Sequence, residues 1–389
     1  MKTRFATALA AITLLFGLAG CGGGGGGGIE GTGAPLGTMR LAVTDAPSCG
    51  FDAVHITIDR VRVHQSGGAV DADAGWSEVV LNPAKRVDLL TLSNGVLEPL
   101  GQTDLPAGKM RLVLAPNTTA NPFANSVTPT GAAETALTTP SGQQSGLKIN
   151  VDIDIPVGKV ADFAIDFDAC KSIVKRGNSG QYNLKPVISV TPIVSDAGMR
   201  VVGYVDPAIA VGSTVVSLQF NGVPVKATAP DPTGRFVLYP VPVGTYDLVV
   251  RAAGRVTATM TGVPVVTTAP TSVNSAALTI LPGTTTLRAV SGTVAPATAT
   301  ARALQSYTGG PTVEVAWANV DANSGVFGFA LPIGAPVKRA YVANPTTLVF
   351  APDAAVAAKY SIEAASNAVL KSQAIDAGAA VPPLVFSFP

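Results

Sequence analysis

What most constrains the fold of this chain is how short its apolar runs are and which residues close them. Val54-His55-Ile56-Thr57-Ile58 alternates apolar and polar side chains, and Val61-Arg62-Val63-His64 does the same. A period of two sends alternate side chains to opposite faces of a strand, so one face is built for a core and the other for water. Similar runs occur at Met39 to Thr44, Trp76 to Leu81, Lys109 to Leu114, Leu147 to Ile155, Val160 to Phe167 and Tyr182 to Val190. Gly, Pro, Asn or Asp stands between them, and 41 glycines and 30 prolines in 389 residues suit strands and turns far better than helices. Only Val87 to Leu97 reads as a short helix or turn. Asn117 to Gln144, rich in Thr, Ser, Pro and Ala, reads as a long loop. The expected class is all-β, with short strands stacked as serial β-sandwiches.

The parity of the alternation switches at Asp59-Arg60, which predicts a bulge or a bend there. In that register His55 and His64 both point away from the apolar face, as solvated strand residues rather than ligands. A formal net charge of +1, with no run of Lys and Arg longer than two, argues against a nucleic-acid partner.

The N-terminus carries a different signal. Lys2 and Arg4 precede an apolar run from Ala6 to Leu18. That run is too short for a bilayer, which needs about 20 residues, but suits the core of an export signal. Leu18-Ala19-Gly20-Cys21 then resembles the lipobox of bacterial lipoproteins, which implies cleavage before Cys21 and a diacylglycerol on its sulfur. Gly22 to Gly28, with the Gly-rich continuation to about Leu36, reads as a flexible tether behind that anchor. By the sorting rule of Gram-negative lipoproteins, Gly22 in place of aspartate implies the outer membrane, with the side the domains face left open. Export leaves Cys49 and Cys170 as an even pair in an oxidising compartment, expected to form a disulfide. The alternative is two separately buried thiols.

Between Gly37 and Ser195 four segments together resemble a known family: Thr44-Asp45-Ala46-Pro47; Leu105-Pro106-Ala107-Gly108-Lys109 with Arg111-Leu112; Thr139-Pro140-Ser141-Gly142 with Ser145-Gly146-Leu147-Lys148; and Asp166-Phe167-Asp168-Ala169-Cys170-Lys171-Ser172-Ile173-Val174. They look like the bacterial lipoprotein family catalogued as domain of unknown function 4382, which implies a secreted, lipid-anchored β-domain, and no activity follows from that family's name. From Arg200 onward, Gly203-Tyr204-Val205, Asp231-Pro232-Thr233-Gly234-Arg235-Phe236 and Pro242-Val243-Gly244-Thr245-Tyr246 resemble a carboxypeptidase-regulatory-like, or transthyretin-like, β-sandwich. Gly292-Thr293-Val294, Asp321-Ala322-Asn323-Ser324-Gly325 and Leu331-Pro332-Ile333-Gly334 recur in the same order. The span from first to last glycine is 41 positions in one copy (203 to 244) and 42 in the other (292 to 334), as expected of a degenerate duplicate. The expected organisation is therefore a signal peptide at 1–20, a lipidated cysteine and tether at 21–36, and sandwiches at 37–195, 200–281 and 282–389.

Catalytic signatures are scarce: the sequence holds no GxSxG, HExxH, GxxxxGK[ST] or CxxC. No catalytic residue is assigned and no ligand-binding residue is identified. One acidic cluster stands out in KINVDIDIPVGKVADFAIDFDAC, Lys148 to Cys170. Folded as a hairpin about Val157-Gly158-Lys159, with Ile153 opposite Phe163, it places Asp154 opposite Asp162 and Asn150 opposite Asp166, with Asp152 nearby. Opposed carboxylates are costly unless something offsets them, and a hard cation such as Ca²⁺ would do so through Asp152, Asp154, Asp162 and Asp166. The plainer reading is a solvated face partly neutralised by Lys148 and Lys159. No other cofactor is expected. Trp76 and Trp317 are expected in core packing, with stacking on sugars as the alternative.

The function expected from all this is a non-catalytic cell-envelope lipoprotein that presents β-modules to an envelope or extracellular protein or glycan. A glycan- or peptidoglycan-binding lipoprotein is the alternative, and a carboxylate-based hydrolase ranks below both.

Overall fold

The structure, a computed structural model, describes residues 37–45, 50–64, 69–70, 72–105, 109–114, 123–139, 147–149, 155, 157–210 and 214–389. Nearly all of it is β: helix is confined to the short turns Leu89–Leu92, Ala169–Ser172, Pro207–Ala210 and Ala354–Val356. Residues Leu36–Pro389 form one compact unit, and within it the strands stack as serial sandwiches.

In the N-terminal sandwich one sheet has the order Ile188–Ile193, Val160–Phe167, Gly37–Asp45, Glu98–Leu105. The facing sheet is centred on the long strand Phe51–His64, which pairs with Ser77–Asp88, Lys109–Leu114 and Ser126–Pro129. Met39, Leu41 and Val43 from the first sheet meet Val54, Ile56, Ile58, Val61 and Val63 from the second, with Phe163, Ile165 and Phe167 filling the layer. Burying each such side chain stabilises the fold by roughly 1.5–3 kcal/mol. The parity switch at Asp59-Arg60 is a real irregularity, because register shifts between Ile58 and Arg60 against both neighbours. Val54, Ile56 and Ile58 point inward before it, and Val61 and Val63 after it.

Two expectations are corrected. The acidic hairpin does not form. Val160–Phe167 is flanked by Gly37–Asp45, in parallel, and by Ile188–Ile193, antiparallel. Leu147–Ile149 instead pairs with Lys109–Leu114 in the facing sheet. Alternation in Val160–Phe167 dictates which side chains go inward but not which strand lies alongside. The segment 117–144 is likewise more than a loop, since Ser126–Pro129 and Thr135–Thr138 pair antiparallel. Their Val127 and Leu137 are fully buried, which ties this hairpin to the core.

The middle and C-terminal sandwiches share one topology. In the middle, Val201–Tyr204 lies between Arg235–Leu238 (antiparallel) and Thr271–Ser272 (parallel). Facing it are Val223–Thr228, Val215–Phe220, Gly244–Arg251 and Ala258–Val265 in that order. At the C-terminus, Leu287–Ala295 lies between Val326–Pro332 (antiparallel) and Leu384–Ser387 (parallel). Facing it are Thr312–Ala318, Thr300–Ser306, Lys359–Ser366 and Val369–Asp376. Counted along each module, leaving out Val337–Ala340 and Ala351–Pro352, both orders are 4-1-7 and 3-2-5-6. The turns agree in detail. Val205 N–H donates to the Gly234 carbonyl at 2.8 Å and Val294 N–H to that of Gly325 at 2.9 Å. Asp231 and Asp321 each accept hydrogen bonds from the residues of their own turn. The C-terminal module is not self-contained, however: Val337–Ala340 pairs in parallel with Ala258–Val265 and, with Ala351–Pro352, extends the middle sheet.

Candidate functional site

Two of the motifs singled out in the first sandwich, Thr44-Asp45 and Asp166 to Val174, come together where the three sandwiches meet. Thr44 and Asp45 close the strand Gly37–Asp45, and both are buried. Thr44 Oγ1 donates to the Leu92 carbonyl at 3.1 Å, and Asp45 Oδ1 accepts from the Ala169 N–H at 2.9 Å. Asp45 thus holds the start of the helical turn Ala169–Ser172. Asp168 caps the same turn, its Oδ1 accepting from Lys171 N–H at 2.9 Å. Ser172 Oγ donates to the Asp168 carbonyl at 2.6 Å and accepts from Val187 N–H at 2.9 Å. A four-residue turn fixed at both ends presents its carbonyls and Lys171 to the C-terminal sandwich.

That surface is fully matched. Asn319 Nδ2 donates to the Cys170 and Ile173 carbonyls at 2.6 and 2.7 Å. Lys171 Nζ lies 3.0 Å from Glu314 Oε1 and 4.7 Å from the centre of the Trp317 ring. Ala322 N–H donates to the Lys175 carbonyl, and Gly177 N–H donates to Asp321 Oδ2 at 2.6 Å. Lys185 Nζ donates to the carbonyls of Thr298 and Ala299.

The middle sandwich joins through a second ion pair, Lys226 Nζ to Asp166 Oδ1 at 2.8 Å, with side chains 3% and 14% exposed. Gln219 meets Glu314 as a peptide group would: its Nε2 donates to the Glu314 carbonyl at 2.9 Å, and its Oε1 accepts from Glu314 N–H at 2.7 Å. Arg251 Nη1 donates to the Val315 carbonyl at 2.7 Å, and burial holds this guanidinium below its ordinary pKa. On the other flank, Asn94 Oδ1 accepts from Val237 N–H at 2.5 Å and Asn94 N–H donates to Thr228 Oγ1 at 2.7 Å. Asp166, Asp168, Lys171, Ser189 and Lys226 line a cavity of about 120 Å³ within this network. There burial pushes the Asp168 carboxyl up to about 6, opposed by Lys171 and reinforced by Asp166 and Glu314.

Of the residues named for a cation, Asp162 and Asp166 lie on one strand face four residues apart, roughly 13 Å. Each has its own cationic partner, Arg40 at 2.5 Å and Lys226 at 2.8 Å. Asp152 and Asp154 lie outside the described residues, and the hairpin that would have set Asp154 opposite Asp162, with Asp152 nearby, is absent. Among the described residues no three His, Cys, Asp or Glu side chains gather as metal ligands. Of the cysteines named for the disulfide and the lipid, Cys49 and Cys21 lie outside the described residues. Both histidines sit on the outward parity expected, His55 half-buried with its imidazole held below the ordinary pKa by burial.

Neither tryptophan is in a core, contrary to expectation. Trp76 lies under the Arg62 guanidinium at 4.7 Å and beside His64, and its indole N–H donates to the Val70 carbonyl. Trp317 packs under Lys171 and donates to Asn319 Oδ1 at 3.0 Å. Both are half-buried because an indole has an apolar face and a polar N–H, which suits a seam better than a dry interior. Sequence patterning does not single out the junction residues Asn94, Lys185, Gln219, Lys226, Arg251, Glu314 and Asn319. Three of them are polar side chains inside strands of otherwise apolar character (VVSLQF, VPVKAT, TVEVAWA), and that misfit was the available signal.

Residues 36–186 match the family described as Domain of unknown function (DUF4382). The match stops just short of Ile188–Ile193, the edge strand that completes the first sheet. No curated protein matches the chain. Among solved structures, a C-terminal interface mutant of the type II cohesin–X-dockerin complex from Acetivibrio cellulolyticus is 25% identical. The similarity covers 22% of this chain and 56% of that one, with a TM-score of 0.18. A Streptococcal ancillary pilin is 11% identical over 90% of this chain and 98% of that one, with a TM-score of 0.17. Neither superposition is close enough to inform the fold or partners of this chain.

Proposed function

We propose that this chain is a non-catalytic cell-envelope lipoprotein, anchored at the outer membrane through Cys21, that holds its three β-sandwiches at fixed mutual angles for contact with an envelope or extracellular partner. The observation that carries the reading is the use made of Asp166 to Val174. Its side chains and carbonyls bond the neighbouring sandwiches, which is the work of a structural joint. The anchor rests on the charged start, the apolar run and Leu18-Ala19-Gly20-Cys21. The middle and C-terminal sandwiches are taken as two carboxypeptidase-regulatory-like modules, on the strength of their shared strand order. Cys170 is assigned to Cys49. That bridge closes a loop of about 120 residues and contributes roughly 4–5 kcal/mol in the chain-entropy picture.

Metabolic labelling with radioactive palmitate tests the anchor. Wild-type protein should take up label in the outer-membrane fraction, and Cys21→Ser should take up none and accumulate unprocessed. Peptide mass spectrometry of the same mature protein without reductant should recover a peptide joining Cys49 to Cys170. Absence of label from the wild type refutes the lipoprotein reading; separate free thiols refute the bridge.

A further inference from the structure

The middle and C-terminal sandwiches differ at one edge. In the middle sandwich the sixth strand, Ala258–Val265, is covered: Val337–Ala340 lies against it in parallel. Val337 N–H donates to the Thr257 carbonyl at 2.9 Å and Tyr341 N–H to that of Thr261 at 2.8 Å. In the C-terminal sandwich the sixth strand, Val369–Asp376, pairs with Lys359–Ser366 on one side, and among the described residues no strand pairs with it on the other. The two edges correspond residue by residue. A register shift at Leu218/Gln219 recurs at Ala303/Leu304. Followed across each sheet from that shift, Thr257, Thr259 and Thr261 take the places of Leu370, Ser372 and Ala374. This position in the fold accepts an added strand, and one copy of it stands open.

The open edge has a defined hydrogen-bonding pattern. Ala377 N–H donates to the Ala358 carbonyl at 2.8 Å. Antiparallel bonding alternates from there, so Ile375, Gln373, Lys371 and Val369 turn their backbone groups toward Lys359–Ser366, while Leu370, Ser372, Ala374 and Asp376 turn theirs outward. The Asp376 carbonyl accepts from Ala379 N–H, which leaves Leu370, Ser372 and Ala374 with both groups to offer. The neighbouring edge, Leu384–Ser387, is closed: Gln373 Nε2 donates to the Val385 carbonyl at 2.9 Å and Lys371 Nζ to that of Ser387 at 2.6 Å. Lys371 is thereby turned inward, away from the edge where a lysine would discourage pairing. The open strand shows apolar groups instead, with Val369 42% and Leu370 56% exposed.

We propose that Val369–Asp376 pairs with the same strand of a second copy of this chain, antiparallel about a two-fold axis at Ser372, so that one sheet runs through both C-terminal sandwiches. A two-fold interface has to be self-complementary, and this register is. Leu370 faces Ala374 of the second copy and Ser372 faces Ser372, which matches the outward N–H and C=O of all three residues. On the inner face Val369 meets Ile375 and Lys371 meets Gln373, so no like charges are opposed. An axis at Ala374 would set Ser372 against Asp376, whose carbonyl is already engaged. An axis at Leu370 would leave Ala374 beyond the end of the second strand. The pairing does not depend on the lipid anchor, so its failure would leave that reading untouched.

Full-length protein in detergent micelles tests it. Sedimentation equilibrium should give twice the chain mass for the wild type and the single-chain mass for Ser372→Lys, which opposes two ammonium groups on the axis from an exposed position. Mild oxidation should cross-link Ser372→Cys into a dimer on a non-reducing gel, because facing residues have Cα atoms about 5.5 Å apart. Leu370→Cys lies roughly 13 Å from its own copy in this register and should cross-link at least about tenfold more slowly. Three results overturn the proposal: a wild type that is monomeric at every concentration, a Ser372→Lys variant that dimerises like the wild type, or a Ser372→Cys variant that cross-links no faster than Leu370→Cys.

Discussion

Asp168 shows how a single carboxyl can record the burial of a joint. Its native form keeps a proton up to about 6 because the charged form is desolvated among Asp166 and Glu314, with only Lys171 in opposition. The unfolded chain releases the same proton near 3.8. Between those values the native state binds more protons, so this group adds stability as pH falls through 6 and withdraws it as pH rises. Replacing Asp168 by Asn keeps an acceptor for the Lys171 N–H and removes the titration. Wild-type unfolding free energy should therefore gain on that of Asp168→Asn between pH 7 and 5, by up to about 1.4 kcal/mol per pH unit. His55, held below its ordinary pKa, works in the opposite sense but is common to both proteins. Parallel urea-unfolding stabilities across that range would refute the account. Gly234 and Gly325 are residue-scale features of another kind. A Cβ on either would lie 2.1 or 2.3 Å from a carbonyl oxygen, at φ of +86° and +70°, so the repeated turn requires glycine in both modules.

Among the elements, strand existence and inward parity could be read from the sequence, because alternation has to match the sheet that buries it. Met39 to Thr44, Val160 to Phe167 and the break at Asp59-Arg60 all fall where alternation places them. Strand partners could not be read that way, and Val160–Phe167 went to Gly37–Asp45 rather than to its sequence neighbour. Nor could the closure of exposed edges. Thr312–Ala318 and Arg235–Leu238 are edge strands, and Gln219 and Asn94 from neighbouring sandwiches cover their backbone groups. An uncovered edge invites pairing with other chains, so a side-chain amide at that position is protective. Gln219→Ala leaves the Glu314 N–H without its acceptor. Its amide hydrogen should exchange at least about tenfold faster, with little change at buried strands elsewhere. Unchanged exchange at Glu314 would mean the amide contact has no such role.

At the scale of the whole molecule, both ion pairs that join the first sandwich to the other two arise from one nine-residue segment, Asp166 to Val174, with further polar bonds around it. Lys171 is central to it, because Glu314 is only 2% exposed and loses the nearer of its two cations, at 3.0 Å, when Lys171 is removed, keeping only Arg302 at 3.8 Å. Breaking a buried pair in this way typically costs about 3–5 kcal/mol. Lys171→Ala should therefore loosen the first sandwich from the other two and speed limited proteolysis in the segment 194–200, while the first sandwich and the strand-paired middle and C-terminal sandwiches survive as resistant fragments. Cleavage at the wild-type rate would argue that the apolar contacts alone hold the assembly. The sequence alone determined that the chain is all-β, where most of its strands run outside the segment 117–144, which of their faces turn inward and that two modules echo each other. Those properties follow from periods of a few residues and from turns that only certain side chains permit. The tertiary structure alone decided that Asp45 holds the turn carrying Cys170, that Lys226 answers Asp166 rather than a cation, and that Lys171 meets Glu314. Each of these joins residues more than 50 positions apart, and no local pattern records which distant surface will supply the partner that makes a buried charge or carbonyl tolerable.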